Sequence, residues 1–385
     1  MGPPKNAGFP QFLAERMGAP GENLRAFRED VRAILRSAQL TLVDSGASAS
    51  LVAALTLAER CGISFARGER PHRRRALVSG FAHPSLISAL FLAGFDVTLV
   101  DTERDGFNVS PEAVSKAITD DVALVCVTHF LGFPARIDLV ADAAAGKRVN
   151  WILQDASDTL GLRVAGYPIH AWASLTTYAF DHERHLSTYG GGAIATDDKG
   201  LAVAVESIAT GGNACTHDAP FYEEDTCEAP PEPDHKASFT RMALSVPMSD
   251  LDACYGLFSL ESYPSHQRRR AVHYGVFYET LSQHPKLAVY ADPFSGSTPY
   301  VFPIRVRSGD ARPLAERLLA RGIEVQTTRA AAIADQPAFA HLPHDGLPSC
   351  RAMTAACLVL SIHPSLPTED VEQVAEIVAE DAMKI

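Results

Sequence analysis

Five consecutive ionisable side chains, Asp181-His182-Glu183-Arg184-His185, are the first place in this sequence to look for chemistry. A neutral imidazole, at His182 or His185, can give or take a proton when its pKa lies near the working pH. Arg184 cannot, because its guanidinium stays charged, but its planar fork suits bidentate contact with a carboxylate or phosphate. Asp155 and Asp158, just after the apolar run Trp151–Gln154, add two carboxylates. Ser45-Gly46-Ala47-Ser48 lies between the apolar run Leu40–Val43 and a helical run from Leu51. Strand, small-residue turn and helix is an arrangement that aims backbone N–H groups and a helix dipole at a phosphate. Plainer readings stand beside each of these. His182 and His185 also read as surface histidines of a polar loop, Asp155 as a strand-ending residue that caps the next turn, and the small-residue turn as packing alone.

These residues must be held by an alternating scaffold. Apolar runs Ala76–Ser79, Val97–Val100, Val122–Val127, Trp151–Gln154, Leu175–Phe180 and Ala193–Thr196 read as buried strands. Helical segments 22–38, Pro84–Ala93, Pro111–Ile118 and Asp138–Ala145 are interleaved among them. Such alternation predicts an α/β fold with a doubly wound, mostly parallel sheet, whose ligands gather at the C-terminal strand ends. Asn213–Lys236, rich in Pro and acidic residues, reads as a long flexible loop. A helix from Met248 past Arg270, strands Tyr300–Arg305, Ile323–Gln326 and Leu358–Ser361, and helices Ala311–Arg321 and Thr368–Glu380 form a smaller C-terminal α/β unit. The expected division is 1–237 and 238–385.

The formal net charge of −12, from 34 basic and 46 acidic residues, disfavours nucleic acid as a partner. The basic cluster Arg67 to Arg75 reads as a solvated approach to a strand, or else as an anion-binding edge. Seven cysteines, odd in number and without CxxC, argue against a disulfide framework or a metal site. With no apolar leader and no long apolar stretch, the expectation is a cytoplasmic protein without membrane attachment.

Several short segments resemble, in order, the DegT–StrS family of sugar aminotransferases. Asp44-Ser-Gly-Ala-Ser-Ala49 resembles that family's N-S-G-T-A-A, Phe107-Asn-Val-Ser-Pro111 its Y-N-I-D-P, and His129-Phe-Leu-Gly-Phe-Pro134 its H-L-Y-G-x-P. Gln154-Asp-Ala-Ser-Asp158 resembles E-D-A-A-Q, Met248-Ser-Asp-Leu-Asp-Ala253 resembles M-S-D-L-Q-A, and Leu360-Ser-Ile-His-Pro364 resembles L-P-I-H-P. Tyr178-Ala-Phe180 and Gly190-Gly-Gly192 bracket the segment that carries the family's lysine. The resemblance implies a fold-type I aminotransferase-like architecture and a dimer. It also implies pyridoxal phosphate (PLP) joined to a lysine through a Schiff base. Ser45, Gly46, Ala47 and Ser48 would then face the phosphate, Asp155 the pyridine nitrogen, and His83 the ring face, although a lone histidine is more often structural.

The departures carry as much information. Four residues after Phe180 stands Arg184, where the family has its lysine. None of the chain's seven lysines replaces it easily: Lys199 lies past the Gly190–Gly192 turn, Lys147 precedes the strand at Trp151, and Lys236, in the long loop, is the one with a route to the site. Asp158 stands for a glutamine, Ala179 for a serine, Ser174 for an aspartate and Ala47 for a threonine, while Ala209-Thr-Gly-Gly212 stands for R-N-H-G.

Three functions fit this pattern. The first is an enzyme of secondary-metabolite or deoxysugar biosynthesis that has dropped the cofactor. It would use Arg184, His182, His185 and Asp158 on an anionic small molecule for cyclisation, dehydration or condensation. The second is a lysine-less enzyme using non-covalent PLP or pyridoxamine phosphate (PMP), as the resemblance implies for the branch that dehydrates 4-keto-6-deoxy sugars. The third is a non-catalytic partner protein. In each case a homodimer is expected.

Overall fold

The computed structural model describes residues 8–16, 18, 21–63, 71–72, 74–212, 239, 241, 243–290, 299–326 and 332–385. The N-terminal helices α1 (Phe9–Arg16) and α2 (Glu22–Leu35) lead into β1 (Gln39–Val43), α3 (Gly46–Arg60), β2 (Arg75–Ser79), α4 (Pro84–Leu92) and β3 (Asp96–Val100). Then come α5 (Pro111–Ala117), β4 (Val122–Thr128), α6 (Ile137–Gly146) and β5 (Trp151–Asp155). A short hairpin of β6 (Arg163–Val164) and β7 (Tyr167–Pro168) precedes β8 (Leu175–Ala179), β9 (Gly192–Thr196) and α7 (Lys199–Ala209). The large sheet has the order β1-β9-β8-β5-β4-β2-β3. Its pairings are parallel except those of β9, which runs antiparallel to both neighbours. This is the doubly wound, mostly parallel sheet that the alternation predicts.

The sheet is buried on both faces, which is why its strands read as continuous apolar runs. In β4, Leu124 and Cys126 enter a core with α3, α4 and α7, whereas Val125 and Val127 enter the opposite core with α2, α5 and α6. No helix among the described residues is long and apolar enough to cross a membrane.

A long helix, α8 (Asp250–Leu281), leads to β10 (Leu287–Val289), β11 (Val301–Val306), α9 (Arg312–Ala320), α10 (Pro348–Ala356), β12 (Cys357–Ser361) and α11 (Thr368–Ala382). These three strands form an antiparallel sheet in the order β10-β11-β12. Its core joins Phe302, Ile304, Leu358 and Leu360 to Leu314, Leu318, Val371 and Val378. The α8 helix belongs to both units. Ala253 and Leu257 pack under the large sheet, and Phe277 and Leu281 pack in the small core.

Some details differ from the sequence reading. The α3 helix starts at Gly46 rather than Leu51, with Ser45 as its N-cap accepting the Ser48 N–H at 3.1 Å. The small residues therefore form the first helical turn, a position that Ala and Ser tolerate. The expected strand Ile323–Gln326 reduces to a single bridge between Gln326 and Val359. Around the basic cluster, Arg74 pairs with Asp96 at 2.7 Å and Arg75 with Asp121 at 2.8 Å. The expected loop, the 237/238 division and Lys236 lie outside the described residues.

Candidate active site

Every strand end that carries a candidate residue opens on the same edge of the large sheet. Parallel strands joined by right-handed crossovers leave a crevice at their C-terminal ends, and side chains there are not consumed by the core. A cleft of about 310 Å³ lies there. Its walls come from Phe81 and His83 after β2, Thr128 and Phe130 at the end of β4, Asp155 and Asp158 after β5, and Glu183 and Arg184 after β8. Tyr300, Ile333 and Gln336 close it from the C-terminal unit.

Asp155 ends β5, where Thr128 is its register partner on β4. Oδ1 of Asp155 accepts the Ser157 N–H at 3.1 Å and the Ser157 hydroxyl at 2.6 Å. The turn-capping role and the site role therefore coexist, because Oδ2 has no hydrogen bond among the described residues. The Thr128 hydroxyl beside it is buried and unpartnered among the same residues. A carboxylate oxygen and an orphaned hydroxyl thus lie together at the cleft floor.

The wall opposite is an ion pair. Arg184 Nη1 donates to Oδ1 of Asp158, and Oδ2 of Asp158 accepts the Leu131 N–H at 2.9 Å. Leu131 sits at φ 56°, a left-handed conformation rare for leucine. Asp158 thereby ties the β4–α6 connection to the β8–β9 loop. That loop is itself closed by Phe180 N–H to Gly191 O and Thr188 N–H to Phe180 O, both at 2.9 Å.

The two loop histidines part company. His182 is 71% exposed on its side chain, faces Glu183 at 3.8 Å and lies outside the cleft lining. His185 is buried, with Nε2 bonded to the Asp158 carbonyl at 3.1 Å and Nδ1 to the Gln267 amide at 3.0 Å. The donors in that network put its proton on Nε2. Burial, helped by Arg270 and Arg184, pushes its pKa down to about 3. It is a neutral strut with both nitrogens engaged. His129 is another, bonded to Gln154 at 2.6 Å and to the Ala135 N–H at 2.9 Å, with burial pushing its pKa down to about 4.

His83 is the N-cap of α4 at the rim, its Nδ1 accepting the Ser85 N–H at 3.2 Å. Its Nε2 has no partner among the described residues. Asp181, nearby, is raised in pKa by burial, against the pull of His83 and His182.

Ser45, Gly46, Ala47 and Ser48 do not line the cleft. They form the first turn of α3, packed so closely on β8 that a Cβ at Gly46 would fall 2.4 Å from the Ala179 Cβ. Asp155 pairs with Thr177 on that same strand, two residues before Ala179. The amides of Gly46 and Ala47 have no acceptor among the described residues, as expected for a first helical turn. Among the described residues no lysine lines the cleft.

Sequence reasoning missed Thr128, Phe81, Phe130, Tyr300 and Gln336. Only Thr128 left a usable signal, as a polar residue at the C-terminal end of an apolar run. Phe81 and Phe130 stack at 5.3 Å, a contact made by the crossover and invisible in local sequence.

Comparison with known proteins agrees with this architecture. The profile of the DegT/DnrJ/EryC1/StrS aminotransferase family matches residues 6–379. A dTDP-4-dehydro-2,6-dideoxy-D-glucose 3-dehydratase of Saccharopolyspora spinosa is 25% identical over 95% of this chain and 81% of its own length. A GDP-4-keto-6-deoxy-D-mannose 3-dehydratase of Yersinia pseudotuberculosis is 22% identical over 72% of this chain and 69% of its own. Among solved structures, the Escherichia coli GDP-4-keto-6-deoxy-D-mannose-3-dehydratase with bound hydrated PLP superposes with a TM-score of 0.82 at 18% identity, covering 96% of this chain and 95% of that one. The Helicobacter pylori aminotransferase PseC reaches the same TM-score at 16% identity, over 98% and 96% of the two chains.

Proposed function

The chain belongs to the DegT/DnrJ/EryC1/StrS aminotransferase family, and on that premise we propose that it is a lysine-independent dehydratase of a nucleotide-linked keto-deoxysugar, working with PLP or PMP held without a covalent link. The observation that carries this reading is the Asp155 carboxylate. It keeps one oxygen unclaimed at the cleft floor, Arg184 in the same cleft is paired with Asp158, and no lysine lines the cleft among the described residues.

In the cleft lining the residue that fits the cofactor is Asp155, and the first turn of α3, outside that lining, would have to supply the second point. Asp155 Oδ2 would accept a protonated ring nitrogen, and the Gly46 and Ala47 amides would take the phosphate. When bound, the cofactor supplies an electron sink that lets a neighbouring hydroxyl leave. The chain's own groups do the rest. His83 Nε2, at the rim, is the proton-transfer group, since the nitrogens of His185 are both occupied. Phe81, Phe130 and Tyr300 exclude water from the floor. The 3-dehydratase relatives support the substrate class.

A cofactor-free reaction is the second reading, favoured by the Arg184–Asp158 pair, which fills part of the wall with charge of its own. Assembly as a homodimer and residence in the cytoplasm belong to the proposal as well.

The test is to add PLP or PMP to purified protein and follow absorbance in the near ultraviolet and violet. A 4-keto-6-deoxysugar nucleotide is then supplied and products are followed by mass spectrometry. Saturable cofactor uptake, release of all cofactor on denaturation after borohydride and, with PMP as the amine and two-electron donor, replacement of one sugar hydroxyl by hydrogen with PMP converted to PLP and ammonia released are expected. Cofactor still attached after denaturation, or no uptake at all, would sink the proposal.

A further inference from the structure

Behind the Tyr300 wall of the cleft lies a group of side chains that the proposed reaction does not use. Tyr300 packs edge-on against His185 with ring centroids 5.8 Å apart, and His185 leans on α8 through Gln267. One turn further along α8 is Arg270, only 5% exposed. Its guanidinium makes no hydrogen bond among the described residues, and Nη1 is fully enclosed. His273, on the same face, is wholly buried, and neither of its ring nitrogens makes a hydrogen bond of good geometry. The backbone of Ile362 and His363 lies next to it.

His363 forms the exposed side of this group. Its Nδ1 is held by Ser365, 2.6 Å from Oγ and 3.2 Å from the backbone N–H. Its pKa is lowered by burial and then by Arg270, His266 and His273, which places all four groups together. The charged neighbours that act on Arg270, His273 and His363 are cationic or imidazole groups, apart from the Tyr263 phenol. Among the described residues no carboxylate is one of these neighbours.

A buried guanidinium without a counter-charge is costly, because desolvation is not offset by pairing. Its planar fork, enclosed and unpaired beside two imidazoles, has the donor geometry of an oxyanion receptor. We propose that Arg270, His273 and His363 bind a small oxyanion, a carboxylate or a phosphate group, which enters past His363.

The site is separate from the cleft and is tested without PLP or a sugar, so its failure and that of the dehydratase reading are distinguishable. Full-length protein is titrated with inorganic phosphate, and separately with acetate, against chloride at equal ionic strength. The melting temperature is followed. A saturable rise with phosphate alone identifies a phosphate-bearing ligand, and one with acetate alone a carboxylate. Arg270→Met should abolish the rise and, with no anion added, melt no lower than the wild type. Arg270→Lys, which keeps the charge and loses the fork, serves if the methionine variant does not fold and should need several-fold more anion. No rise with either anion, an undiminished rise in Arg270→Met, or wild-type affinity in Arg270→Lys overturns the proposal.

Discussion

Asp158 holds Arg184 with one carboxylate oxygen and the Leu131 amide with the other. A single side chain thereby fixes the cleft wall and the left-handed residue beneath it, and Arg184 is committed to the frame before any ligand arrives.

Removing that carboxylate should cost stability. Asp158→Ala leaves a mostly buried guanidinium and a buried N–H without acceptors, which predicts a loss of about 3 kcal/mol. Urea unfolding monitored by circular dichroism checks this, with a lower midpoint and an unchanged slope.

On the proposed reading, a lysine at position 184 should give covalent cofactor attachment only in part. In Arg184→Lys the ammonium inherits the Asp158 carboxylate, which keeps it charged and a poor nucleophile. Adding Asp158→Gln should therefore raise the fraction of protein that carries cofactor mass after borohydride reduction and denaturation. Equal labelling of the single and double variants would contradict this.

Cofactor retention should depend on Asp155. Asp155→Asn can keep an acceptor for Ser157 but loses the charge offered to a ring nitrogen. A charge-assisted hydrogen bond contributes about 1.5–3 kcal/mol, so PLP or PMP should bind about ten- to a hundredfold more weakly. Titration by absorbance gives the ratio, and unchanged affinity would remove Asp155 from the site.

Acid should destabilise the fold through its neutral histidines. His185 has a folded pKa of about 3 and His129 of about 4, against an ordinary value of 6.5. Between those values the unfolded chain binds more protons than the folded one. This part of the stability is complete above about pH 6.5 and is lost as pH falls toward the folded values. His185→Gln should reduce the slope of stability against pH by about 1.4 kcal/mol per pH unit in that window. Denaturant midpoints measured from pH 7 to pH 4 show whether it does.

How far the sequence revealed all this depends on the kind of signal. The strands of the large sheet were legible because both faces are buried, so β4 and β5 read as unbroken apolar runs. The start of α3 was not, since Gly46-Ala-Ser-Ala has neither apolar periodicity nor a strong breaker, and the Ser45 cap shows only in three dimensions. Asp155, Asp158 and Arg184 were found by their place in ordered motifs. The contrast between His182 and His185 was hidden, because an irregular loop has no period to tell its inner side from its outer. Phe81, Tyr300 and Gln336 meet across crossovers and between units, and local sequence carries no trace of that. Arg270 is one of three consecutive arginines on α8, and nothing in the local sequence sets it apart from Arg268 and Arg269.

The α8 helix has a consequence for motion. At about 1.5 Å per residue its 32 residues span about 48 Å, anchored at one end under the large sheet and at the other in the small core. It is shared by both bodies, and Pro264 in its interior takes one backbone hydrogen bond out of it, so a hinge between the bodies would bend it there or strip one anchored end. A cut just ahead of this helix would leave the large sheet without part of its own floor, because Ala253 and Leu257 pack there.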